Sequence, residues 1–284
     1  MIKKSLAVMT MLAMLIVFLA GSAGAQGRLT LAYVEWDCAV ASTNVAQAVL
    51  QEELGYNVET LSVSAAAMWQ GIATGDVDGM VTSWLPVTHA EYKEATEGQV
   101  VDLGVLTDGA KIGLVVPEYV DIDCITELND HADKFNNRIT GIDPGAGIMS
   151  RTEEALEEYN LTNMELQEGS GATMAAALRE AVRDGDWVVV TGWSPHWKFG
   201  RWDLKYLEDP EKVYGEAEYI GKVVRQGLED DAPEAYQFLD NFAWTQDQMS
   251  EVMVMNEENP DDLYGNAVTF IQENPDLVDE WLGR

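Results

Sequence analysis

Short apolar runs alternate with stretches of helical period from residue 29 to residue 191, and this alternation limits the fold more than any other feature. Residues 29–34 read as a strand, and 42–54 as a helix that Ser42, Thr43 or Asn44 could cap. Residues 57–61 read as a second strand, 65–74 as a helix stopped by Gly75, and 78–83 as a third strand. The pattern resumes with strands at 111–116 and 138–142, a helix over 146–159, a short strand at 165–167, a helix over 173–184 and an apolar strand at 187–191. Repeated βα units predict an α/β protein with largely parallel sheets. From Asp231 the chain turns helical, with Pro233, Pro260 and Pro275 separating three acidic amphipathic stretches. Such a chain is expected to form two lobes, with a ligand at the carboxyl ends of the strands, in the cleft between them.

The N-terminus reads differently. Lys3 and Lys4 precede an apolar run to Ala20 and a small-residue stretch that ends Ala23-Gly24-Ala25, the order of a secretory signal peptide cleaved after Ala25. The apolar run is about 15 residues, short of the roughly 20 that cross a bilayer, so residues 1–25 are expected to be a leader and the destination periplasmic. The whole chain carries 17 Lys and Arg against 49 Asp and Glu, a net charge of −32. That excess excludes nucleic acid as a partner, because phosphate contacts need a basic surface. It also suits a host living at high salt, where like-charge repulsion is screened. Cys38 and Cys124 could pair in an oxidising compartment or remain two free thiols, and neither has metal-ligand spacing.

Nine tryptophans mark the chain, and three follow predicted strands: Trp36, Trp84 and Trp193. Trp69, Trp244 and Trp281, on helical patterns, and Trp187 are expected in the core, while Trp197 and Trp202 stay open. Several indole faces around one point suit a quaternary ammonium, which has no N–H to donate and is held by the ring quadrupole. Three faces supply roughly 2 to 6 kcal/mol, whereas a micromolar site needs about 8. A second anchor is therefore expected, and the Gly-rich turn from Gly141 to Met149 can supply one, because it opens a helix whose first N–H groups bind anions. An ordinary βα turn would look the same. The three histidines, His89, His131 and His196, give no metal set, and no Gly-x-Ser-x-Gly is present. A secreted hydrolase rests only on Ser194 standing near His196.

The sequence resembles the glycine betaine/proline betaine receptors of ABC importers, the OpuAC-like family. The resemblance is carried by Val34-Glu35-Trp36, by Met80 to Pro86 with His89 shortly after, by Gly141 to Ile148, and by Thr191-Gly192-Trp193-Ser194-Pro195-His196-Trp197. It implies a type II periplasmic-binding fold of two α/β lobes joined by a hinge, here 26–114 with 212–284, and 115–211. It also implies an ammonium cage of Trp36, Trp84 and Trp193, and a carboxylate clamp of His89 with the backbone amides of Gly147 and Ile148. The implied protein catalyses no reaction and carries no cofactor and no metal. Its partners would be a small betaine and the permease and ATPase subunits of the importer, and it would be a monomer. Carnitine, dimethylsulfoniopropionate and choline remain alternative ligands on the same fold.

Overall fold

The computed structural model describes residues 27–284, so the expected leader and its cleavage point lie outside the described residues. β1 (Arg28–Tyr33), α1 (Asp37–Ala48), β2 (Asn57–Ser62), α2 (Ala65–Thr74) and β3 (Gly79–Leu85) open the chain as βα units, followed by α3 (Ala90–Ala95) and the long β4 (Val100–Pro117). After a 3-10 stretch, Ile125–Phe135, come β5 (Arg138–Thr140), α4 (Gly147–Glu158), β6 (Glu165–Gln167), α5 (Gly171–Asp184), β7 (Val190–Ser194), α6 (Lys198–Arg201), β8 (Leu204–Tyr206) and β9 (Glu218–Arg225). The tail is helical: α7 (Leu228–Asp231), α8 (Pro233–Asn241), α9 (Gln246–Glu258), α10 (Leu263–Glu273) and α11 (Pro275–Leu282).

Strand order among the described residues is β2-β1-β3-β9-β4-β7-β5-β6, with β8 added to β4. β4 belongs to both halves of this array. Its residues up to Ala110 pair with β9, and from Lys111 onward it pairs with β7 and then β8. β1, β2, β3, β9 and the first part of β4 make one lobe, and α9 and α10 return from the C-terminus to pack on α1. The second part of β4 with β5, β6, β7 and β8 makes the other.

The largely parallel sheet expected from the sequence needs correction. β1 pairs in parallel with β2 and β3, and β5 with β6 and β7. Every pairing of β4 and β9, however, is antiparallel. The cause is topological: β9 carries the chain back from the second lobe and inserts between β3 and β4. The first helix also starts earlier than expected. Trp36 is its extended N-cap residue and Asp37 its first-turn acid, a placement the helix dipole favours. Ser42 is buried mid-helix, where its hydroxyl donates to Cys38 O at 2.7 Å instead of capping. The last predicted strand slides from 187–191 to Val190–Ser194. Trp187 stays outside it, packed on Phe135 with Lys134 Nζ 4.0 Å from its ring centre. Gly75 ends α2 with φ +81°, a conformation that side chains resist. Trp69, Trp244 and Trp281 are core residues. Cys38 and Cys124 are both free thiols, and Cys38 is buried.

Candidate functional site

Three chain segments converge where the two lobes face each other. Trp36 stands at the N-cap of α1, Trp84 near the end of β3 and Trp193 near the end of β7. Their rings are no more than 4% exposed. Together with Thr88, Ile112, Ile142, Ala146, Gly147 and Ile148 they line one small cavity. Apolar walls and indole faces dominate it. The start of α4 supplies polarity: its N-cap residue, Ala146, has no side chain to cap the helix, so the first-turn N–H groups of Gly147 and Ile148 have no partner inside the helix.

His89 is not itself a lining residue, but its ring lies 5.8 Å from that of Trp36. Its Nδ1 accepts from the Trp84 backbone N–H at 3.1 Å and from Trp69 Nε1 at 3.4 Å. Two donors on Nδ1 place the imidazole proton on Nε2. That Nε2–H is buried and has no protein partner. Complete burial holds the His89 pKa down to about 3, so the ring is neutral at physiological pH. An unpaired buried donor costs free energy unless something bound accepts from it.

The turn that carries Thr88 and His89 is pinned from β9. The buried Glu218 carboxylate accepts from the N–H groups of Val87 at 2.7 Å and Thr88 at 2.8 Å, and from the Thr88 hydroxyl. Other bonds cross between the lobes. Trp36 Nε1 donates to Asp143 Oδ1 at 3.1 Å, and the Tyr92 hydroxyl to Gly145 O at 2.9 Å. Gly147 approaches the first lobe so closely that a Cβ on it would lie 2.1 Å from Thr88 O. The two lobes are thus closed on each other.

All three tryptophans singled out in the sequence, and both glycine-turn residues, therefore meet at one cavity, with the His89 ring beside that of Trp36. Thr88 and Ile112 carried no sequence signal of their own, and Ile142, Asp143 and Ala146 were marked only as members of the Gly-rich turn. Ser194 and His196 do not form a nucleophile–base pair. The Ser194 hydroxyl bonds to the Tyr206 hydroxyl at 3.2 Å, while His196 Nδ1 accepts from Lys198 N at 3.2 Å. Among the described residues no group of His, Cys, Asp and Glu could hold a metal ion, and no helix is long and apolar enough to cross a membrane.

A cleft between two α/β lobes, lined by aromatic faces and by the start of a helix, defines a solute-binding protein of the type II periplasmic-binding fold. More narrowly, the chain belongs to the OpuAC family, the substrate-binding domain of ABC-type glycine betaine transport systems, whose pattern it matches over residues 27–273. Lactococcal OpuAC in its closed-liganded conformation with glycine betaine superimposes with a TM-score of 0.85 at 40% identity, over 90% of this chain and 99% of that one. The glycine betaine/L-proline-binding protein ProX of Borrelia burgdorferi does so at 0.86 and 40%, over 89% and 96%. The glycine betaine/carnitine transport binding protein GbuC of Listeria monocytogenes is 48% identical over 154 residues, 54% of this chain. The chain spans about half the length of that curated relative, 51%. These relatives are transport binding proteins, not enzymes.

Proposed function

We propose that this chain is the secreted receptor of an ABC importer and that it captures glycine betaine for uptake as an osmoprotectant. The observation that carries the reading is the single cavity in which Trp36, Trp84 and Trp193 face the start of α4. In this reading the trimethylammonium group lies among the three indoles, held by cation–π attraction. The carboxylate accepts from the Gly147 and Ile148 amides and from His89 Nε2–H, and so satisfies a buried donor that otherwise lacks a partner. Choline has the cation without the carboxylate and would leave those donors unmet. Carnitine and dimethylsulfoniopropionate have both groups. The cavity's indole walls, Trp36, Trp84 and Trp193, are all nearly buried, a tight enclosure that favours the smaller glycine betaine over the longer carnitine.

The lobes rotate in this reading about the point where β4 changes partner between Ala110 and Lys111 and about the return segment 207–217. In this reading the boundary lies a few residues before the 114 expected from sequence. The closed, loaded receptor is the form that a permease can distinguish, provided the ligand binds the closed state better. Export to the periplasm, a monomeric state, and permease and ATPase partners complete the proposal. A thermal-shift panel tests it. Glycine betaine is expected to raise the melting temperature most, since stabilisation grows as RT ln(1 + [L]/Kd), with carnitine and choline well behind. A larger shift with choline than with glycine betaine would overturn the ligand assignment.

A further inference from the structure

We propose that Asp37 and His196 form a latch across the cleft that holds the closed form and positions the Trp193 ring, a role that rests on the reading of this cleft as one that closes around its ligand. Asp37 opens α1 in the first lobe, and His196 follows β7 in the second. His196 Nδ1 accepts from the Lys198 backbone N–H at 3.2 Å, which places the ring proton on Nε2. Nε2 lies 3.0 Å from Asp37 Oδ2, and the imidazole side chain is wholly buried. That buried nitrogen makes no fully aligned hydrogen bond, and Asp37 Oδ2 at 3.0 Å is the acceptor within its reach. Burial, with the Lys198 charge beside it, brings the His196 pKa down to about 4, so the contact is between a neutral N–H and a carboxylate. Burial opposes the charge on Asp37, but the close His196 ring, supported by Trp197 and Lys198, holds its carboxyl below the ordinary carboxylate range.

Two features tie the latch to the ligand cavity. Asp37 is the neighbour of Trp36, whose Nε1 grips Asp143 of the second lobe, so consecutive residues hold that lobe at two separate points. The His196 ring also packs edge-on against the Trp193 ring, with centroids 4.8 Å apart and planes at 69°. The buried Lys198 supports the same indole, with Nζ 4.2 Å from the ring centre and 3.3 Å from Trp193 O. Drawing His196 toward Asp37 therefore fixes both the lobe separation and the orientation of one cage wall.

Rapid-mixing and equilibrium titrations with glycine betaine on wild type, Asp37→Asn, His196→Phe, His196→Gln and the double variant Asp37→Asn/His196→Phe test this. A latch that forms after docking acts on dissociation. The dissociation rate is expected to rise about tenfold in Asp37→Asn and in His196→Phe, with the association rate within about twofold of wild type. The double variant should be no worse than either single one, because the two residues share one interaction. His196→Gln, whose amide N–H can reach the carboxylate, should recover part of the loss. A merely structural role would lower the melting temperature of the unliganded protein and leave the dissociation rate alone; that result, unchanged kinetics, or additive losses would overturn the latch. If wild type binds no glycine betaine, the ligand reading fails by itself. The latch is then read from the distance between spin labels on the two lobes: Asp37→Asn widens that distribution if the latch stands and leaves it unchanged if it does not.

Discussion

The neutral state of His89 is set by its surroundings, and it has a measurable consequence. Its pKa in the folded protein is about 3, against an ordinary value of 6.5, because the ring is buried. Above pH 6.5 folded and unfolded chains both keep the ring neutral, and its contribution to stability is fully present. As pH falls from 6.5 toward 3, the unfolded chain takes up a proton that the folded chain refuses, and stability is lost. His89→Gln is therefore expected to lose less in melting temperature than wild type between pH 7.5 and 4.5; equal losses would contradict the assignment. Trp193 carries a second expectation. If its face holds a cation, Trp193→Ala should weaken glycine betaine binding by about 1 to 3 kcal/mol, roughly five- to 150-fold, in calorimetry. At this scale the sequence was legible where chemistry is rare: Trp36, Trp84 and Trp193 stand out because indoles rarely end strands by chance. Trp69 did not stand out. Its periodicity marks it as core, which it is, but its Nε1 also fixes the tautomer of His89. No local pattern contains a partner twenty positions away.

Among the elements, α4 and β4 matter most. α4 brings its N-terminus against the opposite lobe, and Gly147 is the residue that permits it, since a Cβ there would lie 2.1 Å from Thr88 O. Gly147→Ala should fold, because that obstruction exists only between closed lobes. It is expected to lose at least a hundredfold in ligand affinity while the melting temperature of the unliganded protein stays near the wild-type value. A variant that binds normally would show that the lobes do not close as described. β4 and β9 were also the elements least legible in the sequence. β9 contains Lys222, whose charge breaks an apolar run, yet the side chain is buried and its Nζ donates to Asp240 O at 2.8 Å and Phe242 O at 2.9 Å. A lysine satisfied by carbonyls from the far end of a helix reads, locally, as surface. Without β9 the sequence offered only βα units, and a parallel sheet was the natural inference. The βα units themselves were well marked: α2 and β6 have the bounds expected, because Gly75 and the turn residues around 165–167 act within a few positions.

At the scale of the molecule, two binding chemistries are divided, in the proposed reading, between parts of the chain that only a closed cleft brings together. The indoles come from both lobes, and the amides come from the second. Indoles alone would accept any quaternary ammonium; donors for a carboxylate narrow the choice to betaines. That division was legible as a set of motifs, but the hinge that joins them depends on which strands β4 pairs with, a long-range fact. The central claim is that the cleft reads cation and carboxylate together. Calorimetric titration of the purified protein with glycine betaine and, in parallel, with choline tests it most directly. The account expects micromolar or tighter binding of glycine betaine and binding of choline at least about a hundredfold weaker, since choline leaves buried donors unpaired. Equal affinity for the two, or no heat with glycine betaine, would contradict it.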